Sequence, residues 1–395
     1  MAEIADVVIV GGGILGVSLA YELARRTLRV TLLEAHALGS GTTGSGFGWV
    51  NATSKAEVDD AYFQMNVTSM SLYEEMLSRH HAEAVGISTG GTLFWSKDSD
   101  SRDRLRQRSA KLQERGYLAT NVTPAEMEAL EPHIRFPKQG SEESEGCFCP
   151  MDKWVDSSRL VRFLAESARR NNADIREYAP VTEFLLDSLG SIGMVKTESH
   201  QIATRTVILA CGGQTPQIIA KLRPDPQLLA CVPLKRVPGV LTETAPQTAL
   251  HLARRVLYPP DAGGLHLRPT ASGGLLIGAD DTDLLAQQGT LSPSQLADIG
   301  RGLVVRASDW VSGLAISEVA QTATTYICNR PIPADERPIV GNLPGIQGVF
   351  VAVTHSGITL APYLSSLLAE EIVHRKAPEA LAPYRPERFL QRSAL

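Results

Sequence analysis

Glycines and one acidic residue near the N-terminus have the types and the spacing of a dinucleotide-binding site. Gly11, Gly13 and Gly16 form the pattern GxGxxG, and Glu34 follows them. In such a pattern the first glycine permits a tight turn, the second lets the backbone approach a pyrophosphate, and the third lets a helix pack closely on a strand. Free N–H groups at the start of that helix attract phosphates, and an acid at the position of Glu34 accepts hydrogen bonds from a ribose diol.

The elements needed to position these residues lie on both sides of the glycines. Asp6–Val10 is β-branched and almost wholly apolar, which predicts a strand buried on both faces. A helical pattern continues from the glycines to Arg26, and a second apolar strand, 28–33, ends at Glu34. The alternative is a glycine-rich turn in some other α/β sheet, but all the contextual features of the dinucleotide fingerprint are present.

A loop rich in glycine and hydroxyl groups, directly after Glu34, favours FAD over NAD. It covers Gly39–Trp49 and includes Phe47. Such a loop can wrap a second phosphate and let a flat ring lie against the backbone, whereas NAD-dependent folds usually continue directly into the next crossover helix. The alternative, a flexible surface linker, is disfavoured because large aromatic side chains prefer burial.

The composition of the chain restricts the classes of function. Its 395 residues suggest about two or three domains. The net charge of −5 argues against nucleic acid or an anionic membrane as the main partner. The five cysteines do not form a disulfide framework, so we expect a reducing, cytoplasmic location, and Cys147 and Cys149 lack further ligands at zinc spacing, so we expect no metal site. Glu3 and Asp6 precede the uncharged stretch that begins at Val7, which argues against a signal peptide, and we expect no transmembrane helix.

Five further segments, in their order and spacing, resemble the D-amino-acid oxidase, glycine oxidase and sarcosine oxidase family of FAD-dependent amine oxidoreductases, the DAO family. The resemblance covers nearly the whole chain. The segments are Tyr178–Val181, Thr206–Gly213, Pro233–Gly239, Arg268–Gly278 and Asn329–Gly341.

The resemblance implies an α/β fold in two domains. A Rossmann-like FAD-binding domain of the glutathione-reductase type would be discontinuous and would comprise residues 1–55, 150–215 and 325–380. Residues 56–149 and 216–324 would form a second, mixed-sheet substrate domain, and residues 381–395 a C-terminal tail.

The resemblance also implies which residues contact FAD. They belong to the glycine turn, the ribose acid, the loop after it, two later strands and the start of a C-terminal helix. The expected contacts are Gly11, Gly13, Ile14, Leu15, Gly16, Glu34, Ala35, Gly41, Thr42, Thr43, Gly46, Gly48, Val181, Cys211, Gly212, Ser356, Gly357, Ile358 and Thr359.

Arg330 is the expected substrate-binding residue. Members of the family place an arginine at this position, over the flavin, where a planar guanidinium clamps the substrate carboxylate with two hydrogen bonds. The alternative is a surface ion pair of Arg330 with Asp335 or Glu336.

Two histidines are further candidates for the substrate site. His355 lies in the turn before a helix predicted over 358–372, whose N-terminus would stabilise negative charge on the reduced flavin; the alternative is a structural histidine. Thr354 replaces the glycine that precedes this histidine in the family, and no arginine follows it, which puts a carboxylate contact from this turn in question. His266 occupies the position of a carboxylate-binding tyrosine of glycine oxidase, where it would either donate a second hydrogen bond or simply end a hairpin strand.

Two more positions bear on the chemistry of the flavin. Cys328 lies where monomeric sarcosine oxidase carries the cysteine attached to its flavin, so a thioether-linked FAD is one hypothesis and a small buried apolar side chain is the other. Leu276 lies where that enzyme has its oxygen-activating lysine. Because leucine carries no charge, Leu276 favours a dehydrogenase, although glycine oxidases work without that lysine.

The activity that the resemblance implies is oxidation of the C–N bond of an amino acid or N-substituted glycine. Hydride transfer from Cα to flavin N5 would give an imine that water hydrolyses to an oxo acid, with oxygen or a quinone as the electron acceptor. Three alternatives stay open: the FAD subunit of a hetero-oligomeric proline, hydroxyproline or opine dehydrogenase, the FAD domain of a tRNA-modifying enzyme, and a non-catalytic flavin-binding protein. A homo-oligomer and a hetero-oligomer are both compatible with the sequence.

Overall fold

A computed structural model describes residues 3–137, 144–223, 225–246, 252–314 and 322–390. The strands are β1 (Glu3–Ile4), β2 (Val7–Val10), β3 (Val30–Leu33), β4 (Trp49–Val50), β5 (Ile87–Ser88), β6 (Thr92–Trp95), β7 (Thr120–Val122), β8 (Gly146–Cys149), β9 (Lys153–Val155), β10 (Asp174–Arg176), β11 (Val181–Leu186), β12 (Ile192–Thr197), β13 (Gln201–Ala203), β14 (Val207–Leu209), β15 (Leu234–Glu243), β16 (Val256–Tyr258), β17 (Leu265–Pro269), β18 (Leu275–Ala279), β19 (Thr324–Pro333), β20 (Ile339–Asn342) and β21 (Val349–Val353). The α-helices are α1 (Ile14–Ala24), α2 (Thr42–Ser45), α3 (Asp60–Arg79), α4 (Ala82–Val85), α5 (Ser99–Glu114), α6 (Pro124–Leu130), α7 (Ser157–Arg170), α8 (Thr215–Leu222), α9 (Pro226–Ala230), α10 (Asp280–Gln287), α11 (Pro293–Trp310) and α12 (Gly357–His374).

A six-stranded sheet with the order β10-β3-β2-β14-β21-β20 carries the N-terminal fingerprint. Neighbouring strands are parallel except β20 and β21, which are antiparallel. Because successive side chains of a strand point to opposite faces, Val7 and Ile9 pack against helices α1, α7 and α12, whereas Val8 and Val10 pack towards a four-stranded sheet, β1-β13-β12-β11. The sheet is therefore buried on both sides, as its apolar strands predict.

An eight-stranded sheet with the order β19-β15-β18-β17-β16-β6-β8-β7 forms the second main body of the fold. One of its faces packs on α11 through alternating apolar residues such as Leu267 and Ile277. The opposite face carries Leu241, Leu276 and Cys328, and Phe47 packs against it. This face therefore meets the loop that follows Glu34. A short sheet, β4-β9-β5, lies at the same junction.

The elements predicted around the fingerprint are confirmed. The uncharged N-terminal stretch forms β2, the glycine turn and α1, and the second strand is two residues shorter than predicted, Val30–Leu33. The predicted C-terminal helix, 358–372, extends over Gly357–His374. Within the described ranges, no helix is both long and apolar enough to span a lipid bilayer.

The division into domains stays a prediction. Strand β19, at the start of the expected FAD segment 325–380, is hydrogen-bonded within the eight-stranded sheet. In the expected tail, 381–395, the side chains of Leu381, Tyr384 and Phe389 are buried, and residues 391–395 lie outside the described part of the chain.

Candidate cofactor and substrate site

Two glycines of the N-terminal turn have no room for a side chain. Gly11 has φ +107°, and a Cβ on it would stand 2.5 Å from the carbonyl oxygen of Ala210. A Cβ on Gly16 would overlap the carbonyl oxygen of Gly11. These two glycines thus let β2, β14 and α1 approach one another closely.

Gly13 and the start of α1 leave an open surface at the edge of the sheet. A Cβ on Gly13 would meet only the Thr43 hydroxyl, at 3.2 Å. The N-cap residue of α1 is Gly13, which has no side chain to cap the helix, and the described first turn contains no acidic residue. The Ile14 amide donates to Thr43 Oγ1 at 3.0 Å, and Leu15 lies beside it in the first turn. A helix N-terminus that begins at a glycine and has no acidic residue in its first turn fits a phosphate group.

The carboxylate of Glu34 lies directly beside this turn. Its Oε2 accepts from the Gly12 amide at 2.6 Å, and its Oε1 accepts from the His36 amide at 2.8 Å. Ala35, which lies between Glu34 and His36 in the sequence, is exposed. The acid predicted for the ribose is therefore held at the end of β3 next to the glycine turn.

The loop after Glu34 joins the two large sheets. It forms the short helix α2, in which the Thr42 hydroxyl donates to the Asn329 carbonyl of β19 at 2.7 Å. A Cβ on Gly41 would meet no other atom, and Gly46 ends α2. Gly48 has φ +74° and its carbonyl accepts from the Val155 amide at 2.8 Å.

Cys211 and Gly212 follow β14 and flank the glycine turn, because β14 pairs with β2. The Cys211 thiol donates to the Val10 carbonyl at 3.0 Å, and burial raises the pKa of this thiol to about 12. Gly212 has φ +50°. Val181 is buried at the start of β11, and its carbonyl accepts from Lys221 Nζ at 2.8 Å. The structure thus places Cys211 and Gly212 next to the expected pyrophosphate cradle.

The N-terminus of α12 lies beside that of α1. A Cβ on Gly357 would stand 3.5 Å from the Ile14 side chain. The Thr359 hydroxyl donates to the Trp49 carbonyl at 3.2 Å, and Tyr62 Oη donates to Ser356 Oγ at 3.3 Å. Ile358 is next to these residues in the first turn. Two helices therefore direct their N-termini at one edge of the six-stranded sheet, the edge at which nucleotides bind in open α/β sheets.

His355 precedes this helix and is held neutral. Burial, together with the positive charges of Lys55 and Arg330, lowers the pKa of the His355 imidazole to about 4. At neutral pH the side chain therefore carries no charge.

Arg330 pairs with a carboxylate that the sequence analysis did not single out. Its Nη2 lies 2.8 Å from Asp283 Oδ2 and donates to the Pro238 carbonyl at 3.2 Å. The alternative pairing with Asp335 or Glu336 is wrong, because Arg330 pairs with Asp283, and Asp335 pairs with Arg388 at 2.8 Å. The signal for an acid here was the cluster Asp280, Asp281 and Asp283 directly after β18.

Asp283 and His266 complete the group around Arg330. Asp283 Oδ1 accepts from the Val240 amide at 2.7 Å, and burial raises the pKa of Asp283 although Arg330 acts in the opposite sense. His266 Nδ1 lies 3.0 Å from the Gly264 carbonyl oxygen, and burial lowers the pKa of this imidazole. The His266 ring contacts Phe47 edge to face, with 4.8 Å between the centroids. This group therefore faces the loop that follows Glu34.

Cys328 is 3% exposed and packs on the same face of the sheet. Its Sγ lies 3.9 Å from the Thr42 carbonyl oxygen. Burial raises the pKa of the thiol. The structure brings Cys328 to the predicted flavin loop, and its covalent attachment stays a prediction.

These residues fit an FAD molecule. The open backbone at Gly13, the N-termini of α1 and α12, and the acid at Glu34 match its diphosphate and ribose, and the loop 41–48 lies beside them against the face of the large sheet. The individual contacts remain predictions.

Comparison with known proteins identifies the family of this chain. The family model described as "FAD dependent oxidoreductase", DAO, matches residues 6–371. The chain is 26% identical to glycine oxidase of Geobacillus kaustophilus over 96% of each chain, and 25% identical to a subunit of opine oxidase from Agrobacterium tumefaciens over 99% of each. The crystal structure of L-proline dehydrogenase from P. horikoshii superposes with a TM-score of 0.78 at 22% identity over 99% of each chain, a likeness of fold. The chain therefore belongs to the DAO family of FAD-dependent oxidoreductases.

Proposed function

We propose that this protein oxidises the C–N bond of an amino acid or N-substituted glycine to an imine, which water hydrolyses to an oxo acid. The observation that carries the proposal is the group of Arg330, Asp283 and His266 on the face of the large sheet that meets the loop 41–48. It offers a cation for an acid group, a carboxylate, and a neutral imidazole next to the expected flavin.

Arg330 is the proposed binding site for the substrate carboxylate. Asp283 occupies its Nη2, and its Nη1 donates to none of the residues that the structure describes. A substrate carboxylate can therefore bind the free side of the guanidinium while Asp283 fixes the orientation. When bound, FAD supplies the acceptor for the hydride. His355 and His266, both neutral, add no competing charge.

A second candidate is that the chain is the FAD subunit of a hetero-oligomeric dehydrogenase. The relative that favours it is the opine oxidase of Agrobacterium tumefaciens, because the matching chain is named as one of its subunits and the match covers 99% of both chains. This candidate predicts a second chain that co-purifies, and activity with dyes or a quinone rather than oxygen. We also propose a cytoplasmic location, which is supported by five cysteines that are all free thiols.

The test is an anaerobic screen of the FAD-loaded protein. A panel of D- and L-amino acids, sarcosine and other N-substituted glycines is mixed with the protein, and bleaching of the visible flavin band is recorded. We expect at least one member of the panel to bleach the flavin, and air or a quinone analogue to restore the colour. Arg330→Met should retain FAD but bleach at least about a hundredfold more slowly at low substrate, because two charge-assisted hydrogen bonds are lost. A panel that leaves the flavin oxidised throughout would contradict the proposal.

A further inference from the structure

Arg268 is a buried cation that lacks an anionic partner. Its side chain is 6% exposed, and no carboxylate of the described residues lies within ion-pair distance of it. Its Nε donates to the Phe47 carbonyl, and its Nη1 donates to the Pro269 carbonyl at 2.7 Å. Since an unpaired charge away from water is costly, some other group must gain from its presence.

The guanidinium of Arg268 lies on the same face of the large sheet as the candidate site. Arg268 is two residues after His266 in β17, so both side chains lie on one face. Its neighbour across the strands is Leu276, which packs with Cys328 and Phe47. The guanidinium stands between two aromatic rings, 5.6 Å from the Phe47 centroid and 5.0 Å from the Trp154 centroid.

The contact with Phe47 orients one peptide of the loop. A peptide is planar and trans, so its C=O and N–H point in opposite directions. Because Arg268 holds the Phe47 carbonyl, the Gly48 N–H is directed away from the guanidinium, and among the described residues none accepts a hydrogen bond from it. Gly48 itself is closely packed, since a Cβ on it would lie 2.6 Å from the Val155 carbonyl oxygen. One donor of the loop is therefore aimed outward, and the cation behind it polarises that peptide.

A small substrate is too short to bind Arg268 and Arg330 at the same time. Through the strand register Arg268 is level with Leu276, Glu243 and Thr324, and Thr324 is six residues before Arg330. At the rise of a strand these two backbone positions are roughly 20 Å apart along the sheet, whereas the two acid groups of a small amino acid are much closer together. The ligand that lies against the loop itself is the better candidate.

We propose that Arg268 raises the reduction potential of the bound FAD by fixing the Phe47–Gly48 peptide with its N–H towards the flavin and by placing an unpaired positive charge behind it. Two-electron reduction adds negative charge to the flavin, and a fixed cation and an aimed donor stabilise the reduced form more than the oxidised one. Arg268 acts through the loop and is therefore a positioning residue. The inference rests on the flavin lying against residues 46–48, and it does not require any particular substrate.

The test compares FAD-loaded wild type with Arg268→Met and Arg268→Lys. Two quantities are measured: the midpoint potential, against reference dyes, and the dissociation constant of sulfite, an anion that adds to oxidised flavin to give a negatively charged adduct. We expect Arg268→Met to shift the two-electron equilibrium towards oxidised flavin at least tenfold, about 30 mV, and to weaken sulfite binding at least tenfold. Arg268→Lys should lie between Arg268→Met and wild type.

Arg255→Lys is the matched control. Arg255 is also buried, donates to the Gly90 carbonyl at 2.9 Å and lies 5.4 Å from the Phe148 centroid, but it has an ion-pair partner, Glu131, at 3.2 Å. Its substitution should leave both quantities unchanged.

Two results would overturn the proposal. One is an FAD-loaded Arg268→Met protein with the wild-type potential and sulfite affinity. The other is an equal loss of FAD from Arg268→Met and Arg268→Lys. This would show that Arg268 only holds the loop in place and that its charge does not affect the flavin. Neither measurement uses an amino-acid substrate, so either result is distinct from a failure of the proposed C–N oxidation.

Discussion

Arg330 and Arg268 lie on the same sheet but in opposite electrostatic environments. Arg330 is 31% exposed and has Asp283 at 2.8 Å, which leaves one side of its guanidinium for a ligand. Arg268 is buried and has no carboxylate partner in the described ranges, and this burial lowers the pKa of its guanidinium to about 10, so that it is still protonated at neutral pH. We infer that Arg330 binds a ligand directly, whereas Arg268 acts on the cofactor through the loop.

Asp283→Asn tests the support of Arg330. The substitution removes the charge that orients the guanidinium but keeps the size of the side chain and an acceptor for the Val240 amide. We expect KM for the substrate found in the screen to rise about tenfold with a smaller change in kcat, since a hydrogen bond to a charged group is worth about 1.5–3 kcal/mol. Steady-state kinetics give both constants.

The control for Asp283→Asn is Asp298→Asn, which removes the carboxylate of an exposed ion pair with Arg301. This control should leave KM unchanged. An unaltered KM in Asp283→Asn would show that Arg330 does not depend on Asp283.

The state of the Cys328 thiol determines whether FAD is bound covalently or can dissociate. It packs with Leu241 and Leu276, and because burial raises the pKa of its thiol, the reactive thiolate is disfavoured. We therefore expect acid precipitation to release FAD and to leave a colourless pellet in both wild type and Cys328→Ser. A yellow wild-type pellet beside a colourless Cys328→Ser pellet would establish the thioether instead.

At the scale of elements, the site is formed where two helix N-termini meet one edge of a parallel sheet. α1 and α12 begin next to each other, where a Cβ on Gly357 would stand 3.5 Å from the Ile14 side chain. The loop 41–48 then connects this edge to β19 through the contact of Thr42 with Asn329. Gly11 and Gly16, which allow close packing, and Gly13, which leaves the backbone open to a ligand, have different roles, although all three belong to one motif.

Gly16→Ala and Gly13→Ala separate these two roles. In Gly16→Ala the new methyl group overlaps the Gly11 carbonyl oxygen, so we expect the free energy of unfolding of the apoprotein to fall by about 1–3 kcal/mol. In Gly13→Ala the methyl group meets only the Thr43 hydroxyl, so the apoprotein should be nearly as stable as wild type but bind FAD at least about tenfold more weakly. Urea unfolding and FAD titration measure the two effects. Normal FAD affinity in Gly13→Ala would mean that the diphosphate does not approach this position.

At the scale of the whole molecule, buried ionisable groups couple the stability of the fold to pH. The His355 imidazole has a pKa lowered to about 4 by burial, whereas the Asp152 carboxyl has a pKa raised to about 6 by burial although Tyr117 and Thr53 donate to it. The unfolded chain binds a proton at His355 more readily than the folded one, and the reverse holds at Asp152. The two groups therefore act in opposite directions as the pH falls.

His355→Asn should make the apoprotein less sensitive to acid. Between the unfolded histidine pKa of about 6.5 and the folded value of about 4, only the unfolded chain gains a proton, so the free energy of unfolding falls as the pH drops through this window. We expect wild type to lose about 2 kcal/mol more than His355→Asn between pH 7 and pH 4.5. Urea unfolding at the two pH values measures the difference. Identical pH profiles for wild type and His355→Asn would show that this histidine is not buried in its neutral form.

Asp152→Asn is the counterpart with the opposite sign. The folded carboxyl takes up its proton below about pH 6, before the unfolded one does, so this group stabilises the fold as the pH falls. The variant should therefore be more acid-sensitive than wild type. The same urea unfolding measures this difference.

The sequence by itself determined the fold class, the family and the cofactor. The dinucleotide site rests on local features, because the strand, glycine turn, helix and acid lie within the first 34 residues, whereas the choice of FAD rests on the loop Gly39–Trp49 and the family on five segments spread along the chain. The close packing at Gly11 and Gly16 could be anticipated for the same reason, since a turn without Cβ atoms is needed wherever such a helix meets such a strand.

Only the tertiary structure decided how the charges of the site are paired. Arg330, expected to pair with Asp335 or Glu336 if it paired at all, lies against Asp283, and Arg268 is buried with no carboxylate of the described part of the chain beside it. These pairings depend on which strands are neighbours in the eight-stranded sheet and on which face each side chain lies, and both are set by long-range packing rather than by adjacent residues. The partner of a charge is therefore a property of the fold, whereas the glycine turn is a property of the sequence.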